Sequence, residues 1–439
     1  MMAMGPEVIF YSLAILLVLI LLGVHIGVAL GLASVIGVYL SYGDINIALS
    51  ILGSTAFESI RNSSLAVIPL FMLMGEVLSK SGAARDLYLL CNRAMRVVPG
   101  RLAAATVMGN AAFAAVSGVA IASAATFSRI AYPEMRKLGY KRSYALGVIA
   151  GSGSLGMLIP PSVLLIVWAI LTEASVGALF LGGVFPGLLL GAAFIIYCAA
   201  AAYFSPELAP EGSESFKDED AIESFKSGLG ILALVVLVLG GIWLGVFTPT
   251  EAAGFGALGS LLVGWLKGMN KANFLEAVYN AGRSTAPIMF LLIAGSMYSR
   301  LLAVSGGVNL IQDLFLSLGF GPVGIIFVMT IIWLLLGTII DSISDILLTV
   351  PIFYPIAMAA GMNEVAFAIY GVLIIEAGLL TPPLGLLIFA VKSAVPDPDV
   401  TLKEIFIGSI PYWIMIIVVA LTVISFPSIA SWLPAQALG

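Results

Sequence analysis

Apolar runs long enough to cross a lipid bilayer recur along almost the whole chain, and no soluble domain accommodates them. From Glu7 to Tyr42 the only interruption lies around Gly23-Val24-His25. A spanning helix needs about 20 predominantly apolar residues and a barrel strand only about 10, so runs of this length are helical. The residues are 61% hydrophobic and 10% charged, against about 45–50% and 25% in soluble domains. The reading is an all-α polytopic membrane protein.

The remaining totals exclude other classes. A net charge of −5 leaves no basic excess for nucleic acid. One histidine, His25, rules out a multi-histidine metal centre, and Cys91 and Cys198 make no disulfide framework. His25 falls between two spans, as a loop or interface residue, and Trp168, Trp243, Trp333 and Trp413 suit packing or interface roles. The first apolar run lacks a basic leader and is followed at once by another, so it reads as a retained span.

Hydropathy places spans near 7–23, 26–42, 64–79, 143–171, 177–204, 228–247, 250–267, 284–303, 366–393 and 404–432. An acidic segment at 205–227 separates two halves, 1–204 and 228–439, and reads as a polar linker. Glu58 and Arg61 mark a surface amphipathic segment.

Two basic clusters, Lys80 to Arg101 and Arg129 to Arg142, hold ten of the 19 Lys and Arg residues. Both belong in the cytoplasm by the positive-inside rule. The stretch joining them, 102–128, is too short for the roughly 40 residues of two full crossings. A re-entrant hairpin resolves this. Its small residues, Gly109, Ala111, Ala112, Ala114 and Ala115, then Ala120, Ala122, Ala124 and Ala125, flank a break at Val116-Ser117-Gly118-Val119. Small side chains let two half-helices pack closely, and non-helical backbone at depth is tolerated when buried in protein. The alternative is one long helix with a kink.

A shift of 222 positions superposes the halves. Leu158-Ile159-Pro160-Pro161 corresponds to Leu380-Thr381-Pro382-Pro383, Gly156 to Gly378, and Leu164-Leu165-Ile166 to Leu386-Leu387-Ile388. The hairpin break Ser117–Ser123 lands on Ile339–Asp345, within a second apolar stretch at 323–357. Counting crossings from the cytoplasmic clusters gives the two copies opposite orientations. Inverted repeats with interrupted helices at matched positions point to a secondary transporter whose sites lie near the midplane.

The interruptions carry the chemistry. Three glycines and two prolines between Gly151 and Pro161 preclude a regular helix. Unwound backbone frees carbonyl oxygens, which suit a desolvated hard cation such as Na⁺. Ser117, Ser152, Ser154 and Ser162 add hydroxyls in the first half, and Asp341, Ser342, Ser344, Asp345 and Thr381 add oxygens in the second. Ser123, Pro160, Pro161, Ser162, Pro382, Pro383 and Gly385 line the breaks where substrate would pass. Acids inside spans are costly and functional by default. Asp341, in the second break, is the leading one, ahead of Glu376 and then Asp345; a helix cap is the alternative for Asp341.

Pro69 to Glu76, Val116-Ser117-Gly118, Tyr132-Pro133-Glu134-Met135, Leu158 to Ser162, Gly245 to Ala253 and Glu376 to Gly385 together resemble the large membrane subunit of tripartite ATP-independent periplasmic (TRAP) transporters. Two positions depart from that pattern: Leu387 stands two residues after Gly385 where asparagine is common, and Val119 follows Ser117-Gly118 where serine is.

The resemblance implies a multi-pass importer of organic acids, such as C4-dicarboxylates or sialic acid, in the bacterial inner membrane. It implies Na⁺ coupling, a periplasmic substrate-binding protein and a separate small four-helix membrane subunit. It also implies an elevator in which hairpins and broken helices slide against scaffold helices at 1–79 and 228–303. Its sodium sites carry over as Ser117-Gly118 with Gly151, Ser154 and Gly156, and as Gly337, Asp341 and Ser342 with Glu376, Gly378 and Thr381. Other classes remain: an intramembrane aspartyl protease using Asp341 and Glu376, or a channel. No Walker A motif is present for an ATP-driven pump.

Overall fold

The computed structural model describes residues 7–210, 219–317 and 321–438, and every regular element among them is a helix. Helices α1 (Val8–Leu21), α2 (Ile26–Tyr42) and α3 (Ile45–Arg61) open the chain, α3 holding Glu58 and Arg61. His25 caps α2, its Nδ1 accepting from the Gly27 N–H at 3.2 Å, in the loop position expected for it. Helix α4 (Val67–Lys80) bends by 74° into α5 (Ala83–Ala94).

The first hairpin follows as α6 (Arg101–Ser117) and α7 (Ala120–Lys137). Next come α8 (Arg142–Gly153), a 3₁₀ turn at Ser154–Met157, α9 (Val163–Thr172) and α10 (Val176–Phe204). The second half runs through α11 (Glu219–Trp243), α12 (Pro249–Leu266), α13 (Lys271–Val304) and α14 (Gly307–Ser317). Helices α15 (Pro322–Gly337) and α16 (Ser342–Ala359) form its hairpin, and α17 (Glu364–Gly378) and α18 (Leu386–Ala394) its broken helix. Helices α19 (Leu402–Ser425) and α20 (Ser428–Leu438) close the described chain.

Two boundaries differ from the hydropathy reading. The segment read as a linker to residue 227 is already helical from Glu219. Residues 211–218 of that segment lie outside the described residues. The stretch 404–432 is two helices parted at Phe426-Pro427, since proline cannot continue the preceding turn. Of the ten expected spans, α10, α13 and α19 each meet the length and apolarity of a crossing alone, as does hairpin helix α16, and α4 with α5 makes a bent one. Helices α1, α2, α9 and α15 are shorter apolar pieces.

The helices pack around two centres, joined by contacts of α6 with α5 and of α16 with α13. Helix α4 lies on α12 and α13, α5 on α11, and α2 on α13. Ion pairs Lys80–Glu276 (2.5 Å) and Lys267–Asp86 join this group at its polar ends. In the other group α8 and α17 both lie on α19, α16 on α9, and α18 on α7. Trp168 and Trp333 are fully buried there with ring centroids 6.1 Å apart, the packing role expected of them. Where α8 crosses α19 the backbones touch: a Cβ on Gly147 would lie 2.0 Å from the Gly408 carbonyl oxygen. Gly147 and Gly151 are the small residues one turn apart that such an approach requires.

Candidate functional site

Both hairpins fold back on themselves. In the first, a Cβ on Gly109 would lie 2.7 Å from the Phe127 ring, and the rings of Phe113 and Phe127 have centroids 6.1 Å apart. These residues sit on opposite arms at similar distances from Gly118, so one long kinked helix is ruled out. In the second, Trp333 Nε1 donates to Thr349 Oγ1 at 2.7 Å, and the Trp333 and Phe353 rings lie 5.2 Å apart. The polar ends of the first hairpin also meet: Arg96, Gly100, Arg101, Leu138 and Tyr140 line one pocket.

Each hairpin tip is bonded to a broken helix. The Val163 N–H donates to the Gly118 carbonyl at 3.3 Å, and the Gly385 N–H donates to the Thr338 carbonyl at 3.1 Å. Val163 and Gly385 are related by the 222 shift. At the first crossing a Cβ on Gly156 would lie 3.0 Å from the Ala120 nitrogen. At the second, a Cβ on Gly378 would lie 2.8 Å from the Gly337 Cα. Glycine at 156 and 378 is what lets the backbones meet. Pro160–Pro161 and Pro382–Pro383 are both cis. Pro160 and Pro161 are buried, whereas Pro382 and Pro383 are exposed.

The first crossing is neutral. Ser117 is buried and its hydroxyl has no partner. Ser154 Oγ donates to the Gly151 carbonyl at 2.7 Å, and Ser162 Oγ donates to the Met157 carbonyl while capping α9. A Cβ on Gly151 would meet the Tyr412 side chain of α19, while its carbonyl accepts from Ser154. Ser123 donates to Asn110 Oδ1 and Asn110 Nδ2 donates to Ser152 Oγ, each at 2.7 Å. Asn110 thus ties both hairpin arms to α8. Its single polar side chain among alanines was the available signal, and residue-type reasoning passed over it.

The second crossing is acidic. Asp341 caps α16: its Oδ1 accepts from the Ile343 and Ser344 N–H groups, and its Oδ2 accepts from Ser344 Oγ. The leading acid of the sequence reading is therefore spent on its own helix. One turn on, Asp345 is fully buried and neither carboxylate oxygen has a partner. Glu376 is 2% exposed; its Oε1 accepts from Ser342 Oγ at 2.9 Å and its Oε2 is unpartnered. Thr381 Oγ1 donates to the Gly378 carbonyl at 2.9 Å. Gly337 lies against Gly378 and near Asp345, and Ser342 bonds to Glu376.

Buried oxygens without donors are costly, and Ser117 Oγ, Asp345 and Glu376 Oε2 are hard oxygens of the kind Na⁺ takes. The residues of the second crossing therefore have the donor chemistry such a cation takes, and the first offers the Ser117 hydroxyl.

Comparison with known proteins bears on this geometry. Residues 13–429 match the family described as tripartite ATP-independent periplasmic transporter, DctM component. The C4-dicarboxylate TRAP transporter large permease protein DctM of Pseudomonas aeruginosa is 33% identical over 86% of this chain and 88% of its own length. The sialic acid TRAP transporter large permease protein SiaM of Vibrio cholerae is 29% identical over 87% of this chain and 88% of its own. The crystal structure of the Alcanivorax borkumensis YdaH transporter shares the fold, with a TM-score of 0.65 at 13% identity over 91% of each chain. The chain belongs to the DctM family of TRAP transporter large permeases.

Proposed function

We propose that this permease imports an organic acid in symport with Na⁺ by an elevator movement. The reading is carried by one observation: the hairpin–broken-helix crossing occurs twice, with Ser117 Oγ buried and unpartnered at the first and oxygens of Asp345 and Glu376 at the second. Helices α6–α9 and α15–α18 are the moving part, and α1–α5 with α11–α13 the scaffold, divided between the repeats 1–204 and 228–439.

The site reads as a transport path rather than a protease: Asp341 caps a helix, and Glu376 is bonded to Ser342. The named relatives carry C4-dicarboxylates and sialic acid, which supports a carboxylate substrate, with the cation neutralising its charge. The protein acts in the bacterial inner membrane, in contact with lipid, with a small four-helix subunit and a periplasmic binding protein that delivers substrate.

The test is uptake into proteoliposomes holding this chain and the small subunit, with the binding protein outside. Uptake is expected only with an inward Na⁺ gradient and all three components. Equal uptake driven by a proton gradient alone would overturn the reading.

A further inference from the structure

The recess at the polar ends of the first hairpin lies apart from both crossings and has no part in the transport reading. It encloses about 190 Å³. Arg96, Gly100 and Arg101 line it where α5 passes into α6, Leu138 and Tyr140 where α7 passes into α8, and Pro210 beyond the end of α10.

These three walls are fastened to one another. A Cβ on Gly100 would lie 2.8 Å from the Ala202 Cβ of α10, and one on Gly139 would lie 3.7 Å from the Pro210 ring. The Lys141 N–H donates to the Leu208 carbonyl at 2.9 Å, and the Tyr144 hydroxyl donates to the Cys198 carbonyl at 3.0 Å. The recess is therefore a fixed feature of the fold.

Its charge is one-sided. Two arginines line it and no acid does. Between Lys80 and Arg142 the sequence has two acids, Asp86 and Glu134, and these pair with Lys267 and Lys137. Helix α6 begins at Arg101 behind Gly100, so the positive end of its dipole adds to the same wall. Guanidinium groups match phosphate oxygens in pairs. The rim is apolar: Val98 lines the recess beside Leu138, and neighbouring Val97 is 83% exposed. Basic pockets between helices on the cytoplasmic side suit the head groups of anionic lipids.

We propose that this recess binds a phosphate group, that of an anionic phospholipid in the facing leaflet, and that the bound head group fastens the link between α5 and α6 to the base of the hairpin. The inference uses the cytoplasmic placement of the basic clusters and stands independently of Na⁺ coupling.

The experiment is thermal unfolding of the purified full-length chain in nanodiscs of phosphatidylcholine and in nanodiscs of phosphatidylglycerol, with inorganic phosphate or glycerol 3-phosphate added to the phosphatidylcholine discs in a further arm. A ligand that binds the folded chain raises its melting temperature, and the quantity read is the difference between the two lipids for each variant, so a general loss of stability cancels. Wild type is expected to melt higher in phosphatidylglycerol. Arg96→Gln and Arg101→Gln are each expected to lose much of that rise and, by native mass spectrometry, to hold phosphatidylglycerol about fivefold more weakly. Arg93→Gln removes the same charge from an exposed residue outside the recess and is expected to keep the rise. If Arg101→Gln does not fold, Arg96, which is exposed, decides the matter. No rise in wild type with any phosphate, or a rise that all three variants keep or lose alike, overturns the site. A rise with the soluble phosphates that Arg96→Gln loses, with none from phosphatidylglycerol, overturns the lipid as its source.

Discussion

The backbone N–H of Val163 donates to the carbonyl of Gly118 across 3.3 Å, pinning the first proline-paired break to the tip of the first hairpin. The bond is possible because Gly118 adopts φ +63° and presents no side chain to Pro161. Hairpin and broken helix are therefore joined at this point, as the proposed elevator requires.

Gly118→Ala tests that joint. The left-handed conformation costs a residue with a Cβ about 1–2 kcal/mol, and the new carbon would sit 2.6 Å from the Pro161 carbonyl oxygen. The variant is expected to melt several degrees below wild type by scanning fluorimetry, with uptake falling in step. An unchanged melting temperature would mean that the tip is not held against the break.

Gly147→Ala tests the crossing of α8 and α19. The added methyl would meet the backbone of Gly408, which cannot rotate away as a side chain would. Overpacking of this kind costs about 1–3 kcal/mol. Denaturation in detergent should show that loss, while Gly31→Ala, where a Cβ meets nothing within 4 Å, should be near neutral.

The positions of the breaks were legible in the sequence because glycine and proline act through the local backbone, and a repeated pattern at one offset can be checked against itself. Which acid is free was not. Asp341 and Asp345 stand one turn apart on the same hairpin, and only the start of α16 at Ser342 decides that the first is a cap and the second is interior. The helical start at Glu219 was hidden for a related reason, since acidic residues suit a helix N-terminus and a loop equally. The contact of Gly151 with Tyr412 depends on a partner helix more than 250 residues away in sequence, which no local pattern records.

A pH dependence follows from the loop between α18 and α19. The Tyr132 hydroxyl, donating at 2.6 Å, holds the Asp397 carboxyl below the usual carboxylate range, helped by the Asp399 N–H and the Arg142 guanidinium. A depressed folded value means the contribution is complete above the unfolded Asp value of about 3.9. It is lost as pH falls through the lower, folded value. Wild type should melt above Tyr132→Phe at pH values above the unfolded Asp value, and the gap should close as pH falls through the lower, folded value. A gap that does not change with pH would remove Tyr132 from this role.

The last prediction concerns which way the first hairpin faces. Its arms are packed against each other through Gly109 and Phe127, and Arg96 and Arg101 at one end line a common pocket with Leu138 and Tyr140 at the other. Arg96 and Lys137, both exposed, must then lie on the same side of the membrane. In a background with Cys91 and Cys198 replaced by alanine, Arg96→Cys and Lys137→Cys are expected to react with a membrane-impermeant maleimide in inside-out vesicles only. Labelling of the two from opposite faces would turn α6 and α7 into a single crossing, break the repeat relation with α15 and α16, and leave the acids of the second half without a symmetry mate.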